Sequence, residues 1–179
     1  TFTALDTDGT TMWTTSVSDL SSGTMGCSVF DLNGDGAAEV IHADRYDLFI
    51  WDGTDGTELY NEPSAASGSL FEHPVVADVD GDGSAEIVFP SNNYSISGYD
   101  GAYILGEDNN EWASARGVWN QEDYSPAHAN EDGSIPTDTT APWLDDIGFR
   151  TQATPSGPAN AAPDWSATII GVCEDCDGA

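Results

Sequence analysis

The chain has 179 residues, with 3 Lys and Arg against 32 Asp and Glu and a formal net charge of −29. That balance excludes nucleic acid, whose phosphates attract Lys and Arg, and anionic membrane surfaces, and it makes a cation the natural partner. Acidity can mark disorder when aromatic and β-branched residues are scarce, but 6 Trp, 6 Tyr and 6 Phe, with short apolar runs such as Val75-Val76-Ala77 and Ile87-Val88-Phe89, predict a folded chain.

Phe2 precedes Phe49 by 47 positions and reads as the end of a preceding unit. The same offset carries Thr7-Asp8-Gly9-Thr10-Thr11-Met12-Trp13 onto Thr54-Asp55-Gly56-Thr57-Glu58-Leu59-Tyr60. Centred on Asp-Gly and lacking further oxygen ligands, these segments are expected to be hairpin turns. A longer acidic loop, Asp31-Leu32-Asn33-Gly34-Asp35-Gly36-Ala37-Ala38-Glu39, recurs 47 residues on as Asp78-Val79-Asp80-Gly81-Asp82-Gly83-Ser84-Ala85-Glu86. Motifs sharing one offset identify an internal repeat. Thr7–Ile50 and Thr54–Ser97 are its two full units, and Tyr99-Asp100-Gly101 is expected to open a third in the manner of Trp51-Asp52-Gly53.

In the second unit the sequence predicts strands over Thr57–Glu62, Glu72–Asp78, Ala85–Pro90 and Ser95–Tyr99, separated by Gly, Asp, Asn and Ser clusters. No segment of it has helical periodicity, so the fold class is all-β. Four strands in 47 residues match the blade of a β-propeller, whose repeats run about 40–50 residues. Such a four-stranded antiparallel sheet packs on its neighbours, and about four to eight of them close a ring. The chain is therefore expected to be a fragment of a larger propeller, completed by neighbouring blades or by self-association.

After Gly106 the cation loop is lost; Glu111–Trp119 reads as a strand and Asn120–Pro136 as an irregular closing segment. Five of the nine prolines lie between Pro136 and Pro163. Thr151–Pro163 is expected to be a semi-rigid linker, with Trp143-Leu144 and Ile147-Gly148-Phe149-Arg150 as apolar anchors on the last blade. Asp164–Val172 alternates like the first strand of a further β module. The expected organisation is blades and closing segment over 1–150, linker over 151–163 and a truncated module over 164–179. No apolar run reaches the ~18 residues of a membrane-spanning helix, and no leader pattern is present, so membrane insertion is not expected. A chain opening on Thr1 inside a strand-like run reads as a mature or excised fragment.

Oxygen side chains at loop positions 1, 3, 5 and 9, with glycines at 4 and 6, predict a cage for a hard cation. Calcium suits it best, since it takes six to eight oxygens at about 2.3–2.6 Å in irregular geometry. The expected ligands are Asp31, Asn33, Asp35 and Glu39 with the carbonyl of Ala37, and Asp78, Asp80, Asp82 and Glu86 with the carbonyl of Ser84, for about two Ca2+ ions. An EF-hand would need a bidentate Glu at position 12, where this chain has His42 and Phe89. The plainer reading, Asp-Gly turns on a solvated face, does not account for a matching carboxylate at position 9 in both copies.

Cys27 reads as a small core residue. Cys173-Glu174-Asp175-Cys176 is a poor redox pair, because neighbouring acids raise a thiol pKa, and a poor zinc site without a second pair of ligands. A local disulfide, or pairing with residues beyond Ala179, is the favoured reading.

The loops Asp31–Glu39 and Asp78–Glu86, each running into an apolar strand, resemble the FG-GAP or VCBS repeats of secreted bacterial surface proteins, akin to the calcium-binding blades of integrin alpha subunits. Val118-Trp119-Asn120-Gln121 through Asn130–Pro136 and Phe149-Arg150 is similar to the segment closing such propellers, and Pro163-Asp164-Trp165 onward resembles the opening of an adhesion-type immunoglobulin-like β-sandwich module. Asn33 in place of Asp, and Glu in place of the commoner Asp at position 9, depart from the family pattern. The resemblance implies a calcium-binding, non-catalytic module, extracellular or at the cell surface, serving adhesion or ligand display toward a protein or glycan. Alternatives are a carbohydrate-binding module, with Trp112, Trp119, Tyr124 and Trp143 as stacking platforms, or the propeller scaffold of a polysaccharide-active enzyme. No Gly-x-Ser-x-Gly or His-Glu-x-x-His is present, and His42, His73 and His128 stand apart in sequence, so no catalytic residue is expected.

Overall fold

The computed structural model describes residues 1–19, 24–63, 65, 67, 72–94, 96–98, 100–139, 141, 144, 148–152 and 165–173. Among them are ten strands: β1 (Phe2–Leu5), β2 (Thr11–Thr15), β3 (Cys27–Phe30), β4 (Glu39–Ala43), β5 (Leu48–Trp51), β6 (Glu58–Glu62), β7 (Val75–Ala77), β8 (Glu86–Ser91), β9 (Gly101–Glu107) and β10 (Ala167–Cys173). Pro126–His128 forms a 3-10 turn. The strands form a β1–β2 hairpin and two antiparallel four-stranded sheets, ordered β3-β4-β5-β6 and β10-β9-β8-β7. These all-β open sheets match the fold class expected of a propeller fragment.

The alternation of side chains along a strand puts the first sheet between two apolar layers. Phe30, Ile41, Leu48 and Ile50 point to one side, where they share a core with Val76, Ile87, Phe89, Tyr103 and Leu105 of the second sheet. Val29, Val40, Phe49 and Trp51 point to the other, toward Phe2, Ala4 and Trp13 of the hairpin. There the rings of Phe49 and Trp51 stack at 5.1 Å and those of Phe2 and Trp13 at 5.7 Å. The Trp13 indole N–H donates to Gly53 O (2.8 Å), locking the hairpin onto the first sheet.

Strand β2 lies 47 residues before β6, and β1 matches the end of β5, so the hairpin is the outer half of a repeat. Its turn is the expected one: Asp8 and Asp55 each accept the N–H of the Thr two residues on, at 2.9 and 2.8 Å, and Gly9 and Gly56 have φ of +84° and +78°. Because β6 pairs with β5, the unit read from the sequence starts as the outer strand of one sheet and continues in the next.

The second sheet departs from the expected strands in three ways. Ile41 faces Ile50, nine residues on, whereas Val88 faces Ile104, sixteen residues on, so the β8–β9 connection is longer by seven. The strand expected over Ser95–Tyr99 is absent from its described part, since Ile96–Gly98 forms a turn. Leu105 of β9 takes the place of Trp51, a correction to the alignment of Tyr99-Asp100-Gly101 with Trp51-Asp52-Gly53. Second, Glu111–Trp119 is not a strand; Trp112 and Ala113 are buried but the segment lies outside both sheets. Third, the fourth strand is β10, from the region expected to open a separate module. Its Ala167 faces Glu107 and its Cys173 faces Ala102 of β9, and Tyr60 Oη donates to Ala167 O at 3.1 Å.

Of the expected linker and anchors, residues 144 and 148–152 are described. Leu144 and Phe149 are 69% and 62% exposed, while Arg150 beside them is buried. The Val29 N–H donates to Arg150 O (3.0 Å), Thr151 bridges to Val29 in parallel, and Gln152 Nε2 donates to Val76 O (2.8 Å), Val118 O (3.0 Å) and Arg116 O (3.2 Å). Residues 151 and 152 thus belong to the folded body. Residues 153–164, Trp143, Ile147 and Cys176 lie outside the described residues, and Cys27 is a free, half-buried thiol.

Gln152→Ala leaves three carbonyls, one on β7 and two on the 116–118 segment, without this donor, and the expected loss is roughly 1–3 kcal/mol in denaturant unfolding. A solvated linker residue would give no more than about 0.5 kcal/mol.

Candidate metal centres

Each acidic loop joins the first two strands of a sheet, β3 to β4 and β7 to β8. The glycines at positions 4 and 6 are left-handed in both copies, with φ of +70° and +95° at Gly34 and Gly36 and +80° and +93° at Gly81 and Gly83. A Cβ at Gly36, Gly81 or Gly83 would meet nothing within 4 Å, so conformation rather than space dictates glycine there.

The side chains fold the loops by nearly the same bonds twice. At position 1, Asp31 accepts the N–H groups of Asp35 and Gly36 (3.0 Å each), and Asp78 those of Gly81 (2.7 Å) and Gly83 (3.1 Å). At position 3, Asn33 accepts from Asp35 N (2.9 Å) and Asp80 from Asp82 N (3.1 Å). At position 5, Asp35 and Asp82 accept the N–H of Ala37 and of Ser84, both at 2.8 Å. At position 9, Glu39 Oε2 accepts from Leu32 N (2.7 Å) and Glu86 Oε2 from Val79 N (2.9 Å). Glutamate has the reach to close the loop from its first strand residue back to position 2.

That reach buries a carboxylate. Glu39 and Glu86 are each 2% exposed, and both are pushed up to about 7, first by burial and then by the neighbouring Asp carboxylates, against the lowering effect of the backbone N–H bonds. In the second loop, oxygens of Asp78, Asp80 and Glu86 lie within 4.8 Å of one another, the one group of three potential ligands of its kind among the described residues. Three oxygen donors of like charge so close together repel unless a cation or protons lie among them, and an all-oxygen set suits a hard cation. The residues present fit the expected ion at this loop.

The other expected ligands are placed less uniformly. Asp82 lies outside the group of three, and its Oδ2 accepts from the Asn110 side-chain amide. The first loop carries Asp31, Asp35 and Glu39 but has Asn33 where the second has Asp80; it does not form such a group of three acidic side chains. Ala37 and Ser84 are held at position 7 by their N–H bonds, and the Ser84 hydroxyl donates to Trp112 O at 3.3 Å. His42 and Phe89, at position 12, are spent elsewhere: the His42 ring bonds Gly26 O at 3.2 Å and Phe89 is in the core.

A connection between the loops was not legible in the sequence. Residues 112–117 run from one to the other: the Ala113 N–H donates to Leu32 O (2.7 Å), Arg116 O accepts from Asp78 N (3.3 Å), and a Cβ at Gly117 would stand 3.1 Å from Asp78 O. These are backbone contacts that any residue type can make, and Gly117 was the one available signal.

Residues 31–89 match a family model described as FG-GAP-like repeat. The match opens on the first residue of the first loop and ends on Phe89 in β8, so it spans both loops and one full period. No curated protein and no solved structure matches the chain.

Without a cation the fold binds Glu39 and Glu86 in their protonated forms more tightly than the unfolded chain does, between about pH 4.5 and about pH 7. Stability of the chelator-treated protein is therefore expected to fall as pH rises through that window. With a cation bound to the carboxylates the fall is expected to disappear or reverse. Thermal melts at pH 5 and pH 7.5, with chelator and with calcium, check both signs.

Proposed function

We propose that the chain is a calcium-binding, non-catalytic propeller module of a secreted or cell-surface protein, with calcium in a structural role and adhesion or ligand display as its task. The observation that carries this reading is the twinned loop, in which a buried glutamate closes a ring of carboxylates inside an FG-GAP-like repeat. Calcium would be held by Asp78, Asp80 and Glu86, aided by Asp82 and the Ser84 carbonyl, and by Asp31, Asn33, Asp35 and Glu39 with the Ala37 carbonyl.

Chemistry supports an extracellular setting. Small calcium modules outside the cell work at dissociation constants of about 10⁻⁴–10⁻³ M, where millimolar calcium fills from about half to about nine-tenths of the sites. Each ion then adds roughly 0.4–1.4 kcal/mol, with calcium about 1- to 10-fold above its dissociation constant. No helix among the described residues is long and apolar enough to cross a membrane.

Calorimetric titration of chelator-stripped protein with calcium is expected to show about two ions, the second loop binding more tightly because it offers four carboxylates against three. Asp80→Asn is expected to weaken that site at least tenfold and leave the other unchanged. Absence of binding heat together with an unchanged melting temperature would reject the proposal.

A further inference from the structure

Of the nine asparagines in the chain, Asn33 alone is followed by a glycine. It stands at position 3 of the first acidic loop, where the second loop carries Asp80. An asparagine before glycine can lose its side-chain amide to its own backbone, because the glycine nitrogen has no Cβ beside it to block the approach.

The structure prepares that reaction in three ways. Asn33 Oδ1 accepts the N–H of Asp35 at 2.9 Å, and a donor at this oxygen stabilises the negative charge that develops when the side-chain carbonyl is attacked. Asn33 Nδ2, the nitrogen that leaves, lies 3.3 Å from Asp35 Oδ2. Gly34 is exposed and left-handed, with φ of +70°, and its N–H has no hydrogen-bond partner among the described residues, since Asp31 accepts from Asp35 and Gly36 instead. The matching Gly81 N–H is held by Asp78 at 2.7 Å. The backbone nitrogen that can attack Asn33 is therefore one that the first loop leaves open to water.

We propose that Asn33-Gly34 is a deamidation site that turns the first loop into the carboxylate set of the second. After losing its proton to hydroxide, the Gly34 nitrogen bonds to Asn33 Cγ, and the bond from Cγ to Nδ2 breaks with release of ammonia, leaving a five-membered succinimide. Water then opens the ring. Cleavage between Gly34 N and Cγ leaves an aspartate at position 33, and cleavage between Gly34 N and the main-chain carbonyl carbon leaves isoaspartate. One water enters and one ammonia leaves, with no oxidant or reductant. The loop is already shaped for the aspartate, since Asp80 makes the same bond to Asp82 N (3.1 Å) that Asn33 makes to Asp35 N. A new carboxylate oxygen beside Asp35 Oδ2 repels it until a cation lies among them, so conversion raises the first loop's demand for calcium. That consequence rests on the cation reading; the conversion itself does not.

The intact chain in chelator would be incubated at pH 8 and mapped by peptide mass spectrometry, with calcium calorimetry and thermal melts on the Asn33→Asp variant. Position 33 is expected to gain the mass of an amide turned to an acid at least tenfold faster than any other asparagine, with aspartate among the products. Asn33→Gln, whose longer side chain disfavours the ring, is expected to abolish that gain. Asn33→Asp is expected to bind calcium in the first loop at least fivefold more tightly than the unchanged chain and to melt lower in chelator. Conversion no faster than at the other asparagines, isoaspartate as the sole product, or a variant whose first loop is no tighter while its second binds would each overturn the proposal. Absence of calcium binding in both loops would instead sink the cation reading, with the mass map still deciding the deamidation.

Discussion

The glutamate at loop position 9 is the constraint on which the rest of the structure turns. Its carboxylate bonds the amide at position 2, which pins the first two strands of each sheet at the end where the chain crosses between them. The same bond draws a negative charge into a nearly dry setting among other carboxylates, and burial pushes both groups to about 7. At neutral pH the loops therefore require protons or a cation, and an oxygen-only donor set answers best to a hard divalent ion. Local turn chemistry and cation demand are two consequences of one hydrogen bond.

The loops matter beyond their own strands because of what rests on them. Both lead into strands of one shared core, Ile41 from the first sheet and Ile87 from the second. The 112–117 segment ties Leu32 to Asp78 through backbone bonds, so a shift in either loop is felt by the same strap. Gln152 and Arg150 then hold that strap and the edge strand β3. The sheets are thus joined by an apolar core in the middle and by polar backbone ties around the acidic loops.

What could be read from the sequence was what local chemistry determines. The offset between Asp31 and Asp78, the glycines that adopt left-handed φ and the Asp8 and Asp55 turns all follow from residues within a few positions of one another. Strands β3, β4, β7 and β8 carry apolar alternation beside those loops and were equally legible. The second sheet was less so. Its β8–β9 connection gained seven residues, which broke the 47-residue register on which the Tyr99 alignment rested. Trp112 and Ala113 look like a strand because they are apolar, and they are apolar because they enter the core outside any sheet. Arg150 and Gln152 sit in a Pro-rich, exposed-looking stretch, and only the tertiary arrangement shows that they are buried. The partner of β10 is likewise set by an edge left open more than fifty residues earlier, a choice that no local pattern encodes.

The central claim is that the twin loops are cation sites rather than decorated turns, and the most direct measurement is a crystal structure grown with calcium, with anomalous scattering to locate the ions. The account predicts one ion in each loop, within about 2.3–2.6 Å of its oxygens, with Glu39 and Glu86 turned toward the metal. Crystals in millimolar calcium whose loops keep only their internal hydrogen bonds, with no anomalous peak at either, would contradict it.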